Sequence, residues 1–142
     1  MQNLNKRKSI TKELIEIMRK SQIINRLKIT PKDVRIGVFY TGVVLSTGHA
    51  GMSYTPVQEI PEAVCCPRSH AKMPQAGNLL KFPVTDLMEY ALDDNVLKAA
   101  VGVATINALS AILLEDDHCP YKPSVFGNAL DLIQITGEDT VV

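Results

Sequence analysis

The chain has 142 residues, 46% of them hydrophobic and 21% charged, with 15 basic and 15 acidic side chains and therefore no net charge. That length suits one domain with a real core, and the composition excludes a disordered or low-complexity chain. The charge balance excludes a broad nucleic-acid footprint, which needs a basic excess on one face. The one basic cluster, "NKRK" from Asn5 to Lys8, reads as a solvated approach to the first helix.

The start of the chain is polar and lacks the apolar stretch and small residues of a secretory signal. Three cysteines cannot all pair with one another, and a chain of this size needs no disulfide staples. The expected setting is a reducing cytoplasm, where free cysteines serve packing, catalysis or metal binding.

Residues 9–28 place Ile10, Leu14, Ile17, Met18, Ile24 and Leu27 at helical spacing between polar residues. This predicts an amphipathic helix with Ser9 or Thr11 as its N-cap, broken by "TPKD" at 30–33. The stretch 34–56 is dense in β-branched and aromatic residues and punctuated by glycine. It predicts antiparallel strands at about 34–40, 42–47 and 50–55, with tight turns at Thr41-Gly42 and Thr47-Gly48 and with Pro56 closing the sheet.

From 56 to 83 the periodicity disappears. Five prolines (Pro56, Pro61, Pro67, Pro74, Pro83), Cys65, Cys66, His70 and Gly77 fall in this segment. A loop of that length inside a compact domain is unusual and is where a binding site is expected. Helix returns at 84–93, with Thr85 as its cap, and again at 95–114 behind Asn95. Between Lys98 and Glu115 lie 16 uncharged residues, a run short of the roughly 20 apolar residues of a spanning helix. Thr105, Asn107 and Ser110 interrupt it, so a central buried helix is expected and no membrane insertion. Ala99, Ala100, Gly102, Ala104, Ala108 and Ala111 are small enough to let other elements approach its backbone. "EDDHCPYKPS" (115–124) is a further loop, followed by a short helix at about 128–134 and a strand-like ending, "TGEDTVV".

The stretches "GVVLSTGHAGMSYTP" (42–56), "CCPRSHAKMPQAG" (65–77) and "VTDLMEYALDDNVLKAAVGVATINALSA" (84–111) resemble the N-terminal domain of the putative heavy-metal chelation family. "VGVATINAL" (101–109) is similar to that family's most recognisable helix. The resemblance implies an α+β fold like the N-terminal capping domain of enolases: a three-stranded antiparallel meander packed against a helical bundle. It also implies that residues 1–136 form this domain and that 137–142 lead into a C-terminal Rossmann-like domain that the sequence does not contain. Metal chelation, or binding of a small organic ligand, is the function it implies.

The residues themselves offer one main constellation. Thiolate and imidazole are soft or borderline ligands, suited to zinc, nickel, copper or iron. Cys65 or Cys66 can reach a common ion with His70 from a loop, although adjacent side chains on an extended chain point to opposite faces. His49, His118 and Cys119 are the other soft candidates. No Cys-x-x-Cys repeat is present, so core-filling cysteines and a reactive thiol near His70 stay open beside the metal reading. "STGHAG" (46–51) reads either as a hairpin turn with a surface histidine or as a turn whose amides hold an anion. Asn107 either pins the apolar helix to the sheet or lines a ligand pocket with Thr105. The acids Asp86, Glu89, Asp93, Asp94, Glu115, Asp116 and Asp117 read as solvated helix ends, and no nucleophile–base–orienter set can be assembled.

Metal or metal-complex binding is thus the leading expectation, with Cys65, Cys66 and His70 first and His49, His118 and Cys119 second. A small-ligand or enzyme cap domain completed by a Rossmann-like partner is one rival. A structural domain that forms a homodimer is the other.

Overall fold

The computed structural model describes residues 9–59, 73–117, 119 and 136. Helix α1 runs Ile10–Lys20 with Ser9 at its N-cap, and α2 is a single turn, Ile23–Arg26. The predicted continuous helix is broken because the Ser21 hydroxyl donates to the Met18 carbonyl while Gln22 takes the left-handed conformation, φ 53°. The break re-aims the apolar face. Ile15, Met18 and Ile23 are buried, whereas Ile10 and Leu27, expected in the apolar stripe, are exposed. After α2 the Ile29 amide bonds the Ile24 carbonyl and the Lys28 amide bonds that of Asn25, with Lys28 left-handed. Those paired bonds close the helix end in the Schellman manner, at a position that usually holds glycine.

Three strands follow in a meander: β1 Pro31–Ile36, β2 Tyr40–Leu45 and β3 Ala50–Tyr54, in the order β1-β2-β3 and antiparallel throughout. The second predicted turn stands, with Gly48 at φ +89°. The first does not. Thr41 and Gly42 lie within β2, opposite Ile36 and Arg35, and the chain turns instead at Gly37–Phe39. There the Gly37 amide bonds the Tyr40 carbonyl at 2.9 Å, close enough that an added Cβ would press on that oxygen. Pro31 opens an edge strand, where its missing N–H costs no ladder bond.

The alternation along β2 separates two faces. Thr41, Val43 and Leu45 point inward and are fully buried, and the Thr41 and Thr55 hydroxyls satisfy each other at 2.8 Å. Tyr40, Gly42 and Val44 point the other way, opposite Tyr54, Met52 and Ala50 of β3.

The remaining described elements lead to the helix that covers the inner face. Single 3₁₀ turns occupy Val57–Glu59 and Leu79–Lys81, and α3 spans Val84–Glu89. The predicted cap at Thr85 is displaced to Pro83, and the helix tightens into a 3₁₀ turn at Tyr90–Leu92. Helix α4 spans Val96–Glu115, and the Asn95 side chain accepts from the Leu97 and Lys98 amides, the cap foreseen from sequence. α4 has the length and apolarity of a membrane-crossing helix. Here it lies on β2 and β3, burying ten of its residues from Leu97 to Ile112. Val43, Leu45, Leu87, Met88, Val101 and Leu109 are the centre of the core, each worth roughly 1.5–3 kcal/mol when fully buried.

Two glycines set how closely α4 sits. A Cβ on Gly51 would land on the backbone of Ala104 and Ala108, and one on Gly102 would land on Ala91. Two polar contacts fix the same seam: Ser53 Oγ donates to the Ala100 carbonyl and Asn107 Nδ2 to the Met52 carbonyl, each at 2.7 Å. The result is an α+β domain, with the antiparallel meander on one side and the helices on the other. The helix expected at 128–134 and the ending at 137–142 lie outside the described residues, as does the "NKRK" cluster.

Candidate functional site

The Thr47-Gly48 turn carries His49 to the C-terminal end of α4. Gly48 supplies the left-handed corner, and its amide bonds the Leu45 carbonyl while the Leu45 amide bonds that of His49, both at 2.9 Å. The imidazole is held at both nitrogens. Nε2 stands 2.9 Å from Glu115 Oε2 and Nδ1 stands 3.0 Å from Thr47 Oγ1. Its side chain is only 24% exposed, so the surface histidine of the sequence reading is a largely covered one. The Gly48 amide is used within the turn, which removes it from an anion site.

A helix C-terminus carries partial negative charge, and Glu115, Asp116 and Asp117 add to it. Two groups from elsewhere in the chain engage these acids: Arg26 of α2 in an ion pair with Asp116, and His49 bonded to Glu115. Asp116 also closes α4, its amide bonding the Ile112 and Leu113 carbonyls at 3.2 Å. Between them lies a cleft of about 430 Å³ with an apolar floor of Ile23, Leu27 and Ile112. Arg26, His49 and the three acids form its walls.

Of the residues singled out from sequence, His49 is therefore placed in a cleft, and Cys119 lies just past it, buried, its amide bonding the Asp116 carbonyl at 3.0 Å. Cys65, Cys66, His70 and His118 lie outside the described residues. Among the described residues no three His, Cys, Asp or Glu side chains stand close enough to hold a metal ion.

Glu115 and Asp116, expected as solvated helix ends, are engaged by His49 and Arg26, and Arg26 is not among the residues singled out from sequence. The available signal was the acidic run placed directly before His118 and Cys119. Asn107 takes the pinning role, but as an exposed side chain rather than a buried one. Thr105 is buried with its hydroxyl on the Val101 carbonyl, so it lines no pocket.

A second charged cluster sits at the other end of α4. Asp93 accepts from Lys98 Nζ at 2.8 Å and from the Asn95 amide at 2.9 Å, and Lys98 also lies 4.9 Å over the Tyr90 ring. The Lys98 hydrogen bond, then the Asn95 amide, holds the Asp93 carboxyl below its usual value, and the same bond holds Lys98 above its own. This clasp braces the turn at 90–95 on which Gly102 rests.

A family model described as "Putative heavy-metal chelation" matches residues 15–110, well over half of the chain. The matched span takes in the sheet, α3 and most of α4. It contains positions 49, 65, 66 and 70 and stops short of 115–119. No curated protein and no solved structure matches the chain.

Proposed function

This chain belongs to the domain family described as "Putative heavy-metal chelation", and from that premise we propose that it binds a soft heavy-metal ion through imidazole and thiolate ligands. The observation that carries the reading is the His49–Glu115 pair at the mouth of the acidic cleft. A carboxylate bonded to one imidazole nitrogen fixes the ring, the usual arrangement behind a metal-ligating histidine, and a metal at Nδ1 would take the place of the Thr47 hydroxyl.

The donor set fits a metal only in part among the described residues. His49 and Glu115 supply two groups, and Cys119 does not complete a third with them. The reading therefore assigns the remaining ligands to Cys65, Cys66, His70 and His118. Zinc, nickel, copper(I) and iron(II) all accept such a mixture, and the bound ion would supply a site for chelation rather than a reaction step. Arg26 keeps Asp116 occupied, so cation binding here depends on His49 and Glu115 rather than on the whole acidic run.

The test is elemental analysis of the protein, purified without a histidine tag in reducing buffer, beside its Cys65→Ser/Cys66→Ser variant. Near-stoichiometric metal in the first and none in the second is expected. Metal-free protein in both, after reconstitution with each of the four ions, overturns the reading.

A further inference from the structure

The outer face of the sheet carries a second feature that metal binding leaves unexplained. Phe39, Tyr40, Met52 and Tyr54 are 65%, 61%, 60% and 56% exposed, and Val38 adjoins them in the β1–β2 turn. Tyr40 and Tyr54 are register partners and Met52 lies opposite Gly42, so these three side chains share one face, with Val38 and Phe39 exposed in the adjoining turn. At 150–250 Å² per aromatic side chain, the exposed fractions of the three aromatics and Met52 sum to roughly 500 Å². That lies toward the upper part of the range of apolar patch an ordinary monomer shows. It also supplies more than half of the roughly 800 Å² per partner that a stable interface buries. Aromatic side chains and methionine are the residue types enriched in interfaces.

Gly42 points to close approach from outside. Glycine within a strand weakens it, and a bulge, a tight bend or the close approach of another chain element is what it commonly marks; Gly42 sits at no register break of the sheet. For Gly51 that element is α4. For Gly42, on the opposite face and in the central strand, a Cβ would meet nothing within 4 Å. Nothing among the described residues requires a glycine there. It leaves a notch bordered by Met52 and Arg35, its two register partners.

We propose that this face is the interface of a homodimer, in which the outer sheet faces of two copies pack together and meet most closely at Gly42. A two-fold arrangement places apolar β2–β3 surface on its own copy. It leaves Arg35 and Asp33, paired with each other at 2.8 Å, along the β1 rim. The zero net charge adds no repulsion between copies. Face-to-face sheets sit about 10 Å apart, which suits interdigitated Tyr and Met side chains above a glycine notch.

Sedimentation equilibrium of the full chain, its Gly42→Gln and Met52→Lys variants, and Leu114→Lys as a control on exposed α4 surface, tests the proposal. A wild-type dimer is expected, kept in Leu114→Lys. In the other two the dissociation constant should rise roughly ten-fold or more, as for loss of a central interface contact, with unchanged circular dichroism. A wild-type monomer across the concentration range overturns the proposal, and so does a dimer that Gly42→Gln and Met52→Lys both leave intact. Should Gly42→Gln alter the dichroism, Met52→Lys, at an exposed position, decides between the two outcomes.

Discussion

The two faces of the small sheet use glycine in opposite ways. On the inner face Gly51, with Gly102 across the helix, is required because backbone occupies the space where a side chain would go. On the outer face Gly42 has open space around its missing Cβ. The same residue type therefore reports a contact already made within the chain in one case and room for a contact beyond it in the other. Sequence does not distinguish them, since whether backbone fills the space beside each glycine is decided by tertiary packing.

Alanine substitution breaks or sharpens this contrast. Gly51→Ala and Gly102→Ala should each cost about 3 kcal/mol or more, because overpacking against backbone cannot be relieved by a rotamer change. Chemical denaturation midpoints would show the loss. A Gly51→Ala protein as stable as wild type would mean that α4 does not rest on β3 as described. Asn107→Ala removes the bond to the Met52 carbonyl along the same seam, and should cost about 1 kcal/mol in the same assay.

The Asp93–Lys98 clasp sharpens the contrast through pH. Asp93 sits below its usual value of 3.8, so its contribution is present above that value and is lost as pH falls through the lowered one. Lys98 sits above 10.5, so its contribution is full below that value and is lost as pH rises past it. Asp93→Asn should therefore lower stability at neutral pH and flatten the acid limb of a urea-midpoint profile. An acid limb unchanged in Asp93→Asn would assign it to other carboxylates. The smallest effect belongs to Gly42→Ala, within about 0.5 kcal/mol of wild type in dilute solution, as for a surface change that touches nothing.

Much of the fold was legible because it rests on local patterns. The uncharged run at 99–114, preceded by Asn95 and interrupted by Thr105, Asn107 and Ser110, favoured a buried capped helix over a spanning one, and the Thr47-Gly48 turn announced itself by a glycine that adopts positive φ. The first hairpin was misplaced because Gly42 resembled a turn glycine while Gly37 did the work. The long first helix was read through Ser21 and Gln22, whose break depends on a hydroxyl choosing the Met18 carbonyl.

The site was legible only in its residue types. His49 was visible as a candidate, but its partner is 66 positions away, and no local pattern joins a β-turn to a helix end. Glu115 looked like a solvated terminus because the feature that occupies it comes from tertiary packing. The "CCPRSH" stretch was read from ligand chemistry alone, and those residues lie outside the described ones.

The claim that binds these observations is that His49, oriented by Glu115, ligates a soft metal together with thiolates. Its most direct test is the imidazole nitrogen spectrum of ¹⁵N-labelled, reduced protein before and after one equivalent of zinc. The account predicts that one His49 ring nitrogen shifts to a metal-bound position, and that this shift does not occur in Cys65→Ser/Cys66→Ser. Zinc bound with the His49 resonances unmoved, or no zinc bound at all, would contradict it.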